Sequence, residues 1–173
     1  WKSYVQDNLG APYLLLAQRW EVVNELNNIA REYLQKIGSV GQQNIEVKGL
    51  VSGKSITFNV SKGDRLRLTK NHASFGFTNG DIGTVHAIGE NKHGELLIQV
   101  RLDNGRDIEI NTSIYCDSKK RTYLTAAYAQ TVYSSQGQTV NGESFVYYTT
   151  GMDRANTYVA LSRHRKKATI FVN

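Results

Sequence analysis

Two hydrophobic periods alternate along this chain. Residues 1–12 carry no period and read as an irregular lead-in. The run Tyr13-Leu14-Leu15-Leu16-Ala17, with Pro12 before it and Gln18-Arg19 after it, is short and continuously apolar, which predicts a buried strand. Val22, Val23, Leu26, Ile29, Ala30, Tyr33 and Leu34 then recur at spacings of three and four, drawing one apolar stripe along a helix, and Gly38 is placed to stop it. From about residue 44 the period becomes two. Ile56, Phe58 and Val60 alternate with Thr57 and Asn59, and Arg65–Leu68, Thr84–Ile88, Leu96–Leu102 and Arg106–Ile110 follow the same style. Turn sequences separate them: Lys62-Gly63-Asp64, Asn79-Gly80-Asp81, Glu90 to Gly94 and Asp103-Asn104-Gly105. Short strands so spaced predict a small barrel of about five strands.

After about residue 122 the mixed pattern returns. Tyr123–Tyr128 is a strand candidate, Thr131–Ser135 looks like the opening of a helix that ends near Gly137, and Ser144–Tyr148 reads as a buried strand. Arg154–His164 has helical spacing through Tyr158, Val159 and Leu161, and Ala168–Val172 closes as a strand. The order predicts an α/β domain, residues 1–43 and 122–173, interrupted by a small β-barrel over residues 44–121.

Composition narrows the chemistry. A hydrophobic fraction of 40% in 173 residues can form a core without staples. The single cysteine, Cys116, excludes an intrachain disulfide and a zinc site built from cysteine alone. The four histidines, His72, His86, His93 and His164, include no pair at helical metal spacing, so no metal site is expected. No run of apolar residues is long enough for a membrane span. The net charge of +6 and pI of about 9.4 favour a polyanionic partner, nucleic acid first and an anionic membrane second. The start, Trp1-Lys2-Ser3-Tyr4, has neither an initiator methionine nor an apolar leader. The expectation is a segment from inside a longer protein.

Gly49-Leu50-Val51-Ser52-Gly53-Lys54-Ser55 imitates a phosphate-binding P-loop, but only three residues separate its first glycine from the Gly-Lys pair, where four are needed. A P-loop must also open a helix, and Ile56-Thr57-Phe58-Asn59-Val60 continues as a strand. The segment is therefore expected to be a hairpin turn. No other stretch supplies a P-loop, so the chain alone should not hydrolyse ATP.

Two later segments carry more. Ala129-Gln130-Thr131-Val132-Tyr133-Ser134-Ser135-Gln136-Gly137-Gln138-Thr139-Val140 places hydroxyls, amides and a glycine at a strand-to-helix turn, where N–H and O–H donors can meet phosphates. Tyr158-Val159-Ala160-Leu161-Ser162-Arg163-His164-Arg165 sets Arg163 near the end of a short helix, from which a guanidinium can reach an anion across an interface. On residue types alone, a polar turn and a solvated basic helix end are the default reading of both segments.

Together these segments resemble motifs V and VI of superfamily-one helicases, in the RecD-like branch that moves 5′ to 3′: Thr131-Val132-x-x-Ser135-Gln136-Gly137, then Tyr158-Val159-Ala160-Leu161-Ser162-Arg163 about 20 residues on. The likeness extends to the helicase part of conjugative relaxases of the TraA and TraI type, through Gly151-Met152-Asp153-Arg154. Leu14-Leu15-Leu16-Ala17-Gln18-Arg19 resembles the motif IV region. Gly63-Asp64-Arg65 and Asn79-Gly80-Asp81-Ile82-Gly83-Thr84-Val85 resemble the SH3-like insertion of that branch.

The resemblance implies a RecA-like second lobe with an inserted SH3-like barrel, clamping ATP and magnesium together with a first lobe of the same polypeptide. Magnesium and most of the nucleotide would be held by that first lobe. Arg163 would be the arginine finger, Arg19 a second phosphate sensor, and Gln136 and Gly137 the coupling between nucleotide and DNA. Thr131, Tyr133 and Ser134 would lie along single-stranded DNA, as would Arg65, Arg67 and Asn71 of the barrel. Conjugation machinery would be a further partner. The family usually has His then Lys where Tyr133 and Ser134 stand. Tyr133 then either stacks on a base or packs in the lobe. Two rival readings are a non-catalytic single-strand-binding or protein-docking module, and a DNA repair helicase.

Overall fold

The computed structural model describes residues 1–172; Asn173, the end of the expected 122–173 segment, lies outside the described residues. The chain runs through α1 (Lys2–Asp7), β1 (Tyr13–Ala17), α2 (Trp20–Lys36), β2 (Ile45–Val51), β3 (Lys54–Val60), β4 (Arg65–Leu68) and β5 (Ile82–Glu90). It continues through β6 (Leu96–Leu102), β7 (Asp107–Asn111), β8 (Leu124–Ala126), β9 (Ala129–Thr131), β10 (Glu143–Tyr148), α3 (Arg154–Leu161) and β11 (Lys167–Val172). Two compact units result, one from residues 1–33 with the stretch from Tyr128 onward, the other from residues 34–127.

The first unit is a four-stranded sheet in the order β11-β10-β1-β9, parallel at every pairing. A parallel sheet needs both faces covered, and the continuous apolar run of β1 meets that need. Leu14 and Leu16 point to one face, where Val132, Val146, Met152 and Ala160 of α3 pack. Leu15 and Ala17 point to the other, against Val23 of α2, Ala129 and Phe145. Residues 1–12, expected to be irregular, contain the single-turn helix α1, whose Tyr4 joins this second face. Buried Asn27 fastens α2 to the strand that follows the second unit: its Oδ1 accepts the N–H of Tyr128 at 2.9 Å and of Ala129 at 2.7 Å.

The helix expected at Thr131–Ser135 does not form. Ala129–Thr131 is instead a strand paired with Leu15–Ala17, followed by one 3-10 turn, Tyr133–Ser135. Thr131 Oγ1 accepts the Ser134 N–H at 3.0 Å, a side-chain bond that competes with helix propagation, and Gly137 leaves the turn at φ 81°.

In the second unit the β2–β3 pair is an antiparallel hairpin whose Val51 faces Lys54. Its turn residues Ser52 and Gly53 both have positive φ, 48° and 80°, the geometry that suits a two-residue hairpin. The P-loop imitation is thus a hairpin turn, as its spacing indicates. The other strands form an antiparallel sheet in the order β7-β6-β5-β4-β8. Leu124–Ala126 pairs with β4 and so belongs to this sheet. Both sheets share one core, with Val47, Phe58 and Val60 of the hairpin against Leu66, Leu68, Val85, Ile98, Leu102, Ile110 and Leu124.

The expected small barrel of about five strands is not shown: among the described residues, seven strands form two sheets and no closed barrel. The hairpin is tied to the larger sheet's chain where Leu50 N–H donates to the Thr122 carbonyl and Thr122 N–H to the Lys48 carbonyl, each at 2.8 Å, and where the Thr69 hydroxyl donates to the Leu50 carbonyl at 2.7 Å. A bulge between Val85 and Ala87 bends the larger sheet, but β4 and β8, at four and three residues, give it short ladders on that side.

Candidate functional site

All strands of the first unit run the same way, so its polar residues gather at strand ends. Open α/β sheets bind ligands beyond the carboxyl ends of their strands. Gln18 and Arg19 follow β1, Thr131, Tyr133 and Ser134 close β9, and Thr149 and Gly151 follow β10. Gln18 ties two of these ends together, donating through Nε2 to the Gly151 carbonyl at 2.8 Å and accepting the Thr149 hydroxyl at 3.2 Å. Arg19 is exposed, and no described residue engages its guanidinium.

The Thr131 turn is internally satisfied. Thr131 Oγ1 donates to Ser134 Oγ at 2.9 Å, and Ser134 Oγ donates to the Thr131 carbonyl at 3.0 Å. Tyr133 stands on this turn and is 79% exposed. Gln136 and Gly137 are exposed. Gln138, which sequence reasoning passed over although it adjoins the motif, braces the loop: it exchanges hydrogen bonds with buried Gln130 and donates to the Ser134 carbonyl at 3.3 Å.

From there the chain returns to the amino end of β10, where it meets the second segment. Asp153 caps α3, accepting the Asn156 N–H at 2.7 Å, and Arg163 lies just past its far end. Arg163 Nε donates to the Val159 carbonyl at 3.0 Å and Nη1 to the Gln138 carbonyl at 3.4 Å. Its own carbonyl accepts the Val140 N–H at 2.8 Å, and Arg165 N–H returns a bond to Val140 at 3.1 Å. The two segments, some 20 residues apart in sequence, are therefore one structural assembly. Arg163 is half-buried, and its Nη2 has no hydrogen-bond partner among the described residues. Arg19 is not brought to it: Arg19 follows the carboxyl end of β1, Arg163 precedes the amino end of β11, and they share no hydrogen-bond partner.

The three candidates of the second unit differ. Arg65 is committed within its own sheet, gripping Asp103 through two bonds of 2.6 and 2.5 Å and donating to Thr84 Oγ1 at 3.0 Å. Asn71 uses Oδ1 to accept the Asn79 N–H at 2.7 Å, which holds the loop between β4 and β5. Arg67 is half-buried without a hydrogen-bond partner among the described residues, and burial lowers its pKa from the ordinary arginine value. Of the three, Arg67 is the cation left available to an anion.

Among the described residues no three His, Cys, Asp or Glu side chains are grouped to hold a metal ion. No helix is long and apolar enough to cross a membrane.

A family model of viral superfamily 1 RNA helicase core domains matches residues 83–172. The conjugal transfer protein TraA of Rhizobium radiobacter is 30% identical over 158 residues, covering 91% of this chain and 13% of TraA. A probable conjugal transfer protein TraA of Sinorhizobium fredii, strain NGR234, is 27% identical over the same length. The chain thus spans about an eighth of these relatives. The Pif1 helicase from Bacteroides, in complex with ADP-AlF3 and ssDNA, superposes with a TM-score of 0.66 at 23% identity, covering 99% of this chain and 44% of that one. Pif1 helicase from Candida albicans gives a TM-score of 0.68 at 16% identity over 95% of this chain and 45% of that one. At these identities the structural likeness concerns the fold, an α/β arrangement like that of the Pif1 helicases.

Proposed function

We propose, from the premise that this chain belongs to the viral superfamily 1 RNA helicase core domain family, that it is the second lobe of an ATP-dependent DNA helicase moving 5′ to 3′ on single-stranded DNA. The observation that carries this reading is Arg163, pinned by two backbone carbonyls, with Nη2 left over. A half-buried, pre-oriented guanidinium is suited to charge that develops on a phosphate group in a transition state. A module that only bound DNA or docked a protein would have no use for one so placed.

ATP supplies the phosphoryl group whose hydrolysis drives movement. Among the residues present Arg163 fits one phosphate contact; the first lobe of a longer polypeptide would hold the magnesium ion and most of the nucleotide. Arg163 offers its charge to the terminal phosphate presented by that lobe; exposed Arg19, beyond the carboxyl end of β1, is a separate phosphate contact. Thr131, Tyr133 and Ser134 line the DNA, with the exposed Tyr133 ring stacking on a base in place of a cation. The loop through Gln136 and Gly137 runs from those residues to the Gln138 carbonyl that Arg163 holds, so a shift at either end is felt at the other.

The unit of residues 34–127 is read as the SH3-like insertion, in open form, with Arg67 as its phosphate contact and Arg65 and Asn71 positioning the strand and loop around it. The similarity to TraA supports work in conjugative DNA transfer in the cytoplasm, ahead of DNA repair. Strand polarity tests the proposal. The longer protein, given ATP and magnesium, should unwind a partial duplex with a 5′ single-stranded tail and leave one with a 3′ tail intact. Unwinding from the 3′ tail, or from neither, contradicts it.

A further inference from the structure

The loop between β4 and β5 carries an aromatic pile that the reading above leaves unused. Phe75 is 46% exposed and lies on the His72 ring, with centroids 4.5 Å apart and planes 26° from parallel. Beneath it, His72 meets Tyr115 edge-on at 6.2 Å, and buried Phe77 meets buried Tyr115 at 5.1 Å. The pile therefore rises from the core to the surface. It is also held: His72 and Phe77 exchange backbone hydrogen bonds of 2.9 and 3.1 Å, His72 Nδ1 sits 3.0 Å from Ser74 Oγ, and Gly76, at φ 65°, closes the turn.

Cations surround the loop. Arg106 Nη2 donates to the Gly76 carbonyl at 2.9 Å. The unpaired Arg67 Nη2 lies 3.7 Å from where a Cβ on Gly80 would stand. Lys70 Nζ sits 4.4 Å above the Tyr123 ring. The acid of this loop, Asp81, is occupied by the Thr78 N–H and Arg106. An exposed ring backed by a second ring, among three cations, matches what single-stranded nucleic acid presents: a base with a free face and phosphates on either side.

We propose that this loop is a nucleobase-stacking platform, in which Phe75, supported by His72, takes one unpaired base while Arg67 meets a flanking phosphate and Arg106, tied to Gly76 and Asp81, holds the loop in place. It rests on the single-strand reading above and adds a second, independent contact. A base within a duplex has no free face to offer, so the platform selects single strands.

The test is titration of the full chain into short oligothymidylates carrying 2-aminopurine, whose fluorescence falls on stacking. Phe75→Leu keeps apolar bulk without the ring, and Phe75→Trp restores an aromatic face; thermal melting matches each variant to the wild type. The wild type and Phe75→Trp should quench the probe. Phe75→Leu should lose the quench and about tenfold in affinity with an unchanged salt slope, whereas Arg67→Gln keeps the quench and flattens the slope by about 0.7. If the wild type binds and Phe75→Leu binds and quenches equally well, the platform is wrong and the single-strand reading stands. If the wild type binds no oligonucleotide, the platform is overturned, while the helicase reading is decided separately by tail-dependent unwinding in the longer protein.

Discussion

Arg163→Ala in the longer protein is expected to lower kcat for DNA-stimulated ATP hydrolysis by about a thousandfold or more, the scale on which arginine fingers act, while single-strand affinity changes little. Two of the guanidinium nitrogens are spent on the Val159 and Gln138 carbonyls, and those bonds fix where the third points. Arg163→Lys separates charge from geometry. A lysine keeps the charge but lacks the planar fork that holds two carbonyls while facing an anion, so it should recover only part of the loss. Steady-state hydrolysis at saturating DNA reads both variants. An alanine variant within about threefold of wild type would remove Arg163 from the catalytic machinery.

Asn27→Ala has the largest expected effect on stability, a loss of about 2–5 kcal/mol. The side chain is 3% exposed and accepts from two backbone N–H groups, those of Tyr128 and Ala129. Alanine leaves both donors buried without this acceptor, at about 1–3 kcal/mol each. The consequence is also functional, because these donors begin β9, the strand that ends in Thr131 and positions Tyr133 and Ser134. Denaturant unfolding of the chain measures the loss, and hydrogen exchange at the Tyr128 and Ala129 amides localises it. A change below about 0.5 kcal/mol would place Asn27 among the surface-like positions and refute the clamp.

What could be read from the sequence follows from the range of the interaction involved. The strand Tyr13–Ala17 is bounded as its apolar run indicates, because burial on both faces leaves a purely local mark. The hairpin at Ser52-Gly53 was legible from turn chemistry and from the strand that follows Lys54. Three-residue β9 is too short to show a period, and its hydroxyl-rich continuation imitates a helix start. Leu124–Ala126 reads as a strand, yet nothing local tells which sheet it joins. Closure of the barrel likewise depends on where edges meet, and the alternation of Arg65–Leu68 is the same in an open sheet as in a closed one.

The candidate site divides in the same way. The two helicase-like segments were visible as strings, but their union through Arg163, Gln138 and Val140 is a tertiary fact. Arg65 and Arg67 look equivalent in sequence, two residues apart on one face of β4. Asp103, 38 residues away, captures the first and leaves the second. Phe75 and His72 lie in a loop with no periodicity, so their stacking left no pattern to read.

ATP hydrolysis by the longer protein, measured with and without single-stranded DNA, decides whether this chain is half of a DNA-driven ATPase. The expected result is hydrolysis that rises steeply as single-stranded DNA is added and saturates with its binding. A protein that binds single-stranded DNA tightly and hydrolyses no ATP at any DNA concentration would contradict it and leave a binding module as the better description.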